Sequence, residues 1–101
     1  MEGEATIASE VLGRYAADAA SEVEGVRGLV ASQLHRHRGV RVTSDDARGT
    51  TVELHLDVEW GSPIAATGRT VQRRVAAYLE RMTGARPAAV DVVVDAIGPP
   101  Q

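Results

Sequence analysis

At 101 residues the chain has room for one hydrophobic core, and its 44% hydrophobic and 25% charged residues exclude both wholesale disorder and a fibrous repeat. Eleven basic residues against fourteen acidic ones leave a net charge of −3, which excludes a protein built mainly to coat phosphate backbones. With no cysteine there is no disulfide, thiolate nucleophile or zinc–thiolate site.

Glu2 and Glu4 precede any apolar run, the reverse of a secretory signal, and the longest stretch free of Asp, Glu and Arg, Trp60 to Gly68, is too short to span a bilayer. From Ser9 to Val23, the residues Val11, Leu12, Tyr15, Ala16, Ala19, Ala20 and Val23 fall on one stripe at helical spacing, opposite Glu10, Arg14, Asp18 and Glu22. This predicts an amphipathic helix with Ser9 as its N-cap and Gly25 as its stop. Apolar residues between Val26 and Leu34 follow no clean period and support only a short strand. Val40 and Val42 then alternate with Arg41 and Thr43 ahead of the turn residues Ser44, Asp45, Asp46 and Gly49, a hairpin signal.

The next strand is the clearest element. Val52, Leu54, Leu56, Val58 and Trp60 share one face, predicted buried, and Thr51, Glu53, His55, Asp57 and Glu59 share the other, predicted solvated. Gly61 breaks the strand, and Ser62 as cap with Pro63 in the first turn starts a second helix. Its buried stripe is Ile64, Gly68, Val71, Val75, Tyr78, Leu79 and Met82. Gly84 ends it. A final strand alternates Val90, Val92, Val94 and Ala96 with Asp91, Val93 and Asp95. The order helix, strands, helix, strand predicts a two-layer α+β domain, both helices on one face of a small mixed or antiparallel sheet, with tails over 1–5 and 98–101 and one domain over 6–97.

Candidate sites are sparse. His35, His37 and His55 are the one set of imidazoles that could gather on zinc, but nothing in their spacing brings them to a single ion, and solvated loop histidines are the expectation. Gly25-Val26-Arg27-Gly28 has the GxxG form with which a KH domain clamps nucleotides, the alternative reading being an RNA-binding module. One such tetrapeptide is expected by chance in a chain this rich in glycine. None of the serines lies in a nucleophile elbow, and no phosphate loop or dinucleotide fingerprint is present. No catalytic residue, cofactor or small-molecule substrate is assigned. The partner-binding candidates are two faces of opposite sign: Arg69, Arg73, Arg74 and Arg81 on the second helix, and Glu53, Asp57, Glu59, Asp91 and Asp95 around Val93 on the sheet. Unlike patches of this kind suit head-to-tail contact.

Taken in order, the helix from Glu10-Val11 through Ala19-Ala20 into Glu22-Val23-Glu24-Gly25-Val26, the strand ending Trp60-Gly61, Val71-Gln72, Met82-Thr83-Gly84 and Val90-Asp91-Val92-Val93-Val94 resemble the bacterial alkaline shock protein family, also described as envelope stress response proteins. The resemblance covers residues 6 to 97. It implies a cytoplasmic, non-enzymatic protein that gathers near the membrane, in some members through a membrane-anchored protein partner, and supports cell-envelope homeostasis as a general stress protein. It carries no catalytic, cofactor or metal residue onto this chain.

Overall fold

The computed structural model describes residues 2–31 and 39–99, with side chains described from residue 9 onward. Its elements are α1 (Glu2–Ser21), β1 (Val26–Leu29), β2 (Val40–Asp45), β3 (Gly49–Glu59), α2 (Ile64–Thr83) and β4 (Ala89–Gly98). The helix α1 reaches back past Ser9 to Glu2, so Ser9 lies inside it instead of capping it. Acidic residues suit the positive end of a helix, which is where Glu2 and Glu4 fall. After Ser21 the chain tightens through Glu22 N–H to Ala19 O (3.3 Å) and Val23 N–H to Ala20 O (3.2 Å), then turns at Gly25 and enters β1 at Val26.

β3 organises the sheet. β4 runs parallel to it from Thr51↔Ala89 to Glu59↔Gly98 and takes one edge along nearly its whole length. A strand has two edges, so β1 and β2 share the other, both antiparallel: Val26↔Val58 to Leu29↔Leu56, then Val40↔Leu54 to Asp45↔Gly49. They meet at His55, whose carbonyl accepts from Val30 N–H (2.8 Å) and whose N–H donates to Gly39 O (2.8 Å). Gly39 has φ +84, and a Cβ there would lie 2.7 Å from the Val30 carbonyl, so only glycine closes this junction. Asp45 turns the hairpin by accepting from Ala47 N–H (2.7 Å) through Oδ1. Parallel strands need a long crossover, which α2 supplies between β3 and β4. The sheet is therefore mixed.

Both helices pack on one sheet face. The core is Ala16, Ala20 and Val23 from the first segment, Val40 from β2, Val52, Leu54, Leu56 and Val58 from β3, and Val71, Val75 and Leu79 from α2. Each large side chain buried here contributes about 1.5–3 kcal/mol. Tyr15 and Tyr78 join the helices edge to face, 5.7 Å between ring centroids. Gly68 faces Val92 of β4, where an added Cβ would fall at 3.8 Å, an ordinary van der Waals contact.

Besides Ser9, four expectations are corrected. Trp60 is 68% exposed, because β3 ends at Glu59 and the chain turns at Gly61 before the indole can follow the pleat. Ile64 and Met82 at the two ends of α2, with Val11 on α1, are also exposed, while Thr67 and Ala76 join the buried stripe. Ser62 makes no cap: Pro63 occupies that position without a side-chain hydrogen bond, and Thr67 N–H reaches the Pro63 carbonyl (2.8 Å). Gly84 ends α2 as expected, with φ 81 and its N–H on Glu80 O. The fourth correction is His55, taken up below. Trp60 is the single tryptophan, so native fluorescence is expected to peak near the position of a water-exposed indole. A strongly blue-shifted maximum in the monomer would contradict its placement.

Candidate interaction surfaces

Period two sends Glu53, His55 and Asp57 of β3 to the face away from the helices, and the parallel register lays Asp91 beside Glu53 and Val93 beside His55. A register shift between Leu56 and Asp57 advances β4 by one residue and brings Asp95 to His55. The imidazole sits between two carboxylates, Nδ1 2.6 Å from Asp95 Oδ2 and Nε2 2.6 Å from Glu53 Oε2. His55 is only 6% exposed, so it is a buried, doubly bonded group and not the solvated histidine expected from its parity. Burial works against its charged form, but the hydrogen bonds to Glu53 and Asp95 and their negative charges outweigh that and raise its pKa above the ordinary 6.5. Protonated, the ring donates to both carboxylates.

Beside this clamp, Arg27 of β1 reaches Asp57, Nη1 to Oδ2 3.3 Å. Asp57 Oδ1 is buried with no hydrogen-bond partner among the described residues. The face is thus partly self-neutralised, with Asp91 and Val93 exposed toward its β4 side. Arg27 belongs to the GxxG tetrapeptide, whose Gly28 lies inside β1 opposite Asp57, so the tetrapeptide passes from a turn into a paired strand and forms no free loop for nucleotides. His35 and His37 fall outside the described residues. Among the described residues no group of three or more His, Cys, Asp or Glu is placed to hold a metal ion.

On the opposite side, Arg69, Arg73, Arg74 and Arg81 are exposed along α2. Arg73 donates to Thr70 Oγ1 (3.4 Å) and Arg81 lies over the Tyr78 ring, 5.6 Å from its centroid. None of the four has an ion-pair partner among the described residues, whereas Glu80 is taken by Arg86 at 3.0 Å. The separation of signs expected from the sequence is therefore present, but the two faces differ: the guanidinium groups are open, and much of the acid is engaged. The Glu53-x-His55 spacing on one face was visible in the sequence. Asp95 was legible as a residue of that face, but its pairing with His55 was not, because it depends on the parallel register and its bulge.

Among the described residues no helix is long and apolar enough to cross a membrane. The alkaline shock protein 23 family, described as having a cell envelope-related function, matches residues 1–99. No curated protein matches the chain. Among solved structures, the fold is similar to that of the MamM CTD spanning residues 215–293 of its own chain, at TM-score 0.57 and 17% identity over 86% of this chain and 96% of that one. A variant of the same CTD in a manganese form aligns at TM-score 0.56 and 18% identity, with the same coverage of both chains. At these identities the likeness is one of fold.

Proposed function

Because this chain belongs to the alkaline shock protein 23 family, whose function is cell envelope-related, we propose that it is a non-enzymatic binding or scaffolding module of the envelope stress response. In this reading it works at the cytoplasmic side of the membrane through protein–protein contacts, including contacts to a membrane-anchored partner. The observation that carries the proposal is the row Arg69, Arg73 and Arg74, exposed and without ion-pair partners among the described residues. Arg69 and Arg73 stand one helical turn apart, a mildly repulsive spacing that an acidic surface relieves. Arg81 extends the row. Glu53 and Asp57 around Val93 form the facing surface for a second copy in head-to-tail contact.

Sedimentation at low salt is expected to show species larger than a monomer, or a complex with an acidic partner, that dissociate as salt rises and are absent when Arg69, Arg73 and Arg74 are changed together to Glu. A monomeric wild type whose partner recovery is unchanged by the triple variant would remove this surface.

A further inference from the structure

We propose that the outer edge of β4 is a strand-docking site that accepts an extended segment of another protein carrying arginine or lysine on alternate residues. The site goes beyond the arginine row of α2 and does not depend on it. β4 pairs only with β3 among the described residues, which leaves its other edge open along Ala89–Gly98. Alternate residues of a strand direct their backbone groups to opposite edges, and two hydrogen bonds set the phase here. Gln72 Nε2 donates to Val90 O at 3.0 Å, reaching it from α2, which turns that carbonyl away from β3. Trp60 N–H donates to Gly98 O at 2.6 Å, which turns Gly98 toward β3. The one-residue shift between Leu56 and Asp57 reconciles the two parities. The backbone groups of Val90, Val92 and Val94 therefore point to the open edge while their side chains pack on the helix side, and Gln72 covers only the Val90 carbonyl.

An open, β-branched edge of this length invites pairing, and proteins usually blunt such edges with charge, proline or a bulge. The opposite edge of the sheet is broken between β1 and β2, and carries a further irregularity at Arg27. β4 is blunted at two places, the Gln72 cap and the bulge near Asp95, which leaves Val92 and Val94 between them.

Charge selects the occupant. Asp91 and Asp95 flank Val93 on the open face, with Glu53 beside Asp91 on β3. A second copy pairing antiparallel about Val93 would set Asp91 directly against Asp95 twice, an unfavourable cross-strand arrangement. A partner strand with basic residues at two alternate positions, apolar toward the helices, meets both aspartates and continues the Val92 and Val94 side.

The probe is a synthetic ten-residue peptide alternating Val and Arg, added to the intact protein, with amide hydrogen exchange read by NMR. In the free protein the Val92 and Val94 amides are expected to exchange fast while those of Asp91 and Val93, bonded to β3, are protected. Peptide should slow Val92 and Val94 by about ten-fold or more, and Asp91→Arg should weaken its binding by about two- to five-fold. The Arg69/Arg73/Arg74→Glu variant should bind the peptide as well as wild type, which separates this site from the one above. Protection of Val92 and Val94 in the free monomer, protection that grows with protein concentration alone, or no slowing at saturating peptide would each overturn the proposal.

Discussion

Replacing Leu54 with Ala is expected to lower the free energy of unfolding by about 2–5 kcal/mol, whereas Trp60→Ala should stay within about 0.5 kcal/mol. Leu54 has no exposed surface and stands at the middle of β3, in register with Val40 of β2 and Val92 of β4, with the helices over it. Truncation there removes contacts on every side, and a sheet held by pairing on both edges has little freedom to collapse into the space. Trp60, the larger side chain, is 68% exposed and has little to lose. Size alone predicts the reverse order. Urea denaturation of the two variants with unchanged m-values would measure both, and a Trp60→Ala loss as large as that of Leu54→Ala would show that the indole packs after all.

Stability is expected to fall as pH rises from about neutral into the alkaline range, and His55→Gln should flatten that fall. The sign follows from linkage. The folded-state pKa of His55 lies above its ordinary 6.5, so the protonated clamp stabilises the fold fully below that value, and its contribution is lost as pH climbs through the raised pKa. Below it, two N–H groups meet Asp95 and Glu53; above it, a ring with a single N–H leaves a lone pair facing a carboxylate at 2.6 Å. Among the described residues, the charged groups on this face are Glu53, Asp57 and Glu59 on β3, Asp91 and Asp95 on β4, Arg27 on β1 and Arg41 on β2. Thermal melts of wild type and His55→Gln from pH 6 to 9 would read it. Parallel pH profiles would discard the clamp as their source.

What the sequence disclosed follows from how local its signals are. The alternation from Val52 to Val58 identifies the core strand because each residue's face depends only on its neighbours, and Gly84 marks the end of α2 because a left-handed cap is a local demand. The same alternation misplaces Trp60, since parity holds only while the strand continues, and β3 stops one residue earlier. In α2 the periodicity finds Val71, Val75 and Leu79 but overreaches at Ile64 and Met82, where the helix runs beyond the cover it packs against. Nothing local marks β4 as parallel to β3, and the clamp at His55 rests on that pairing. The arginine row was legible as a helical face; the engagement of Glu53, Asp57 and Asp95 was not, because their partners come from other strands.

The parallel seam also shapes the order in which the molecule can assemble. β2 and β3 are joined by a short turn, so their ladder closes a small loop, while Thr51 and Ala89 meet only after α2 has been placed between them. Closing the longer loop costs more chain entropy and returns its contacts later. The hairpin and its helix cover are thus able to form before β4 is added, and the His55 clamp is complete only at that final step. In kinetic terms, substitutions in β4 should act mainly by speeding unfolding, and those in the hairpin by slowing folding.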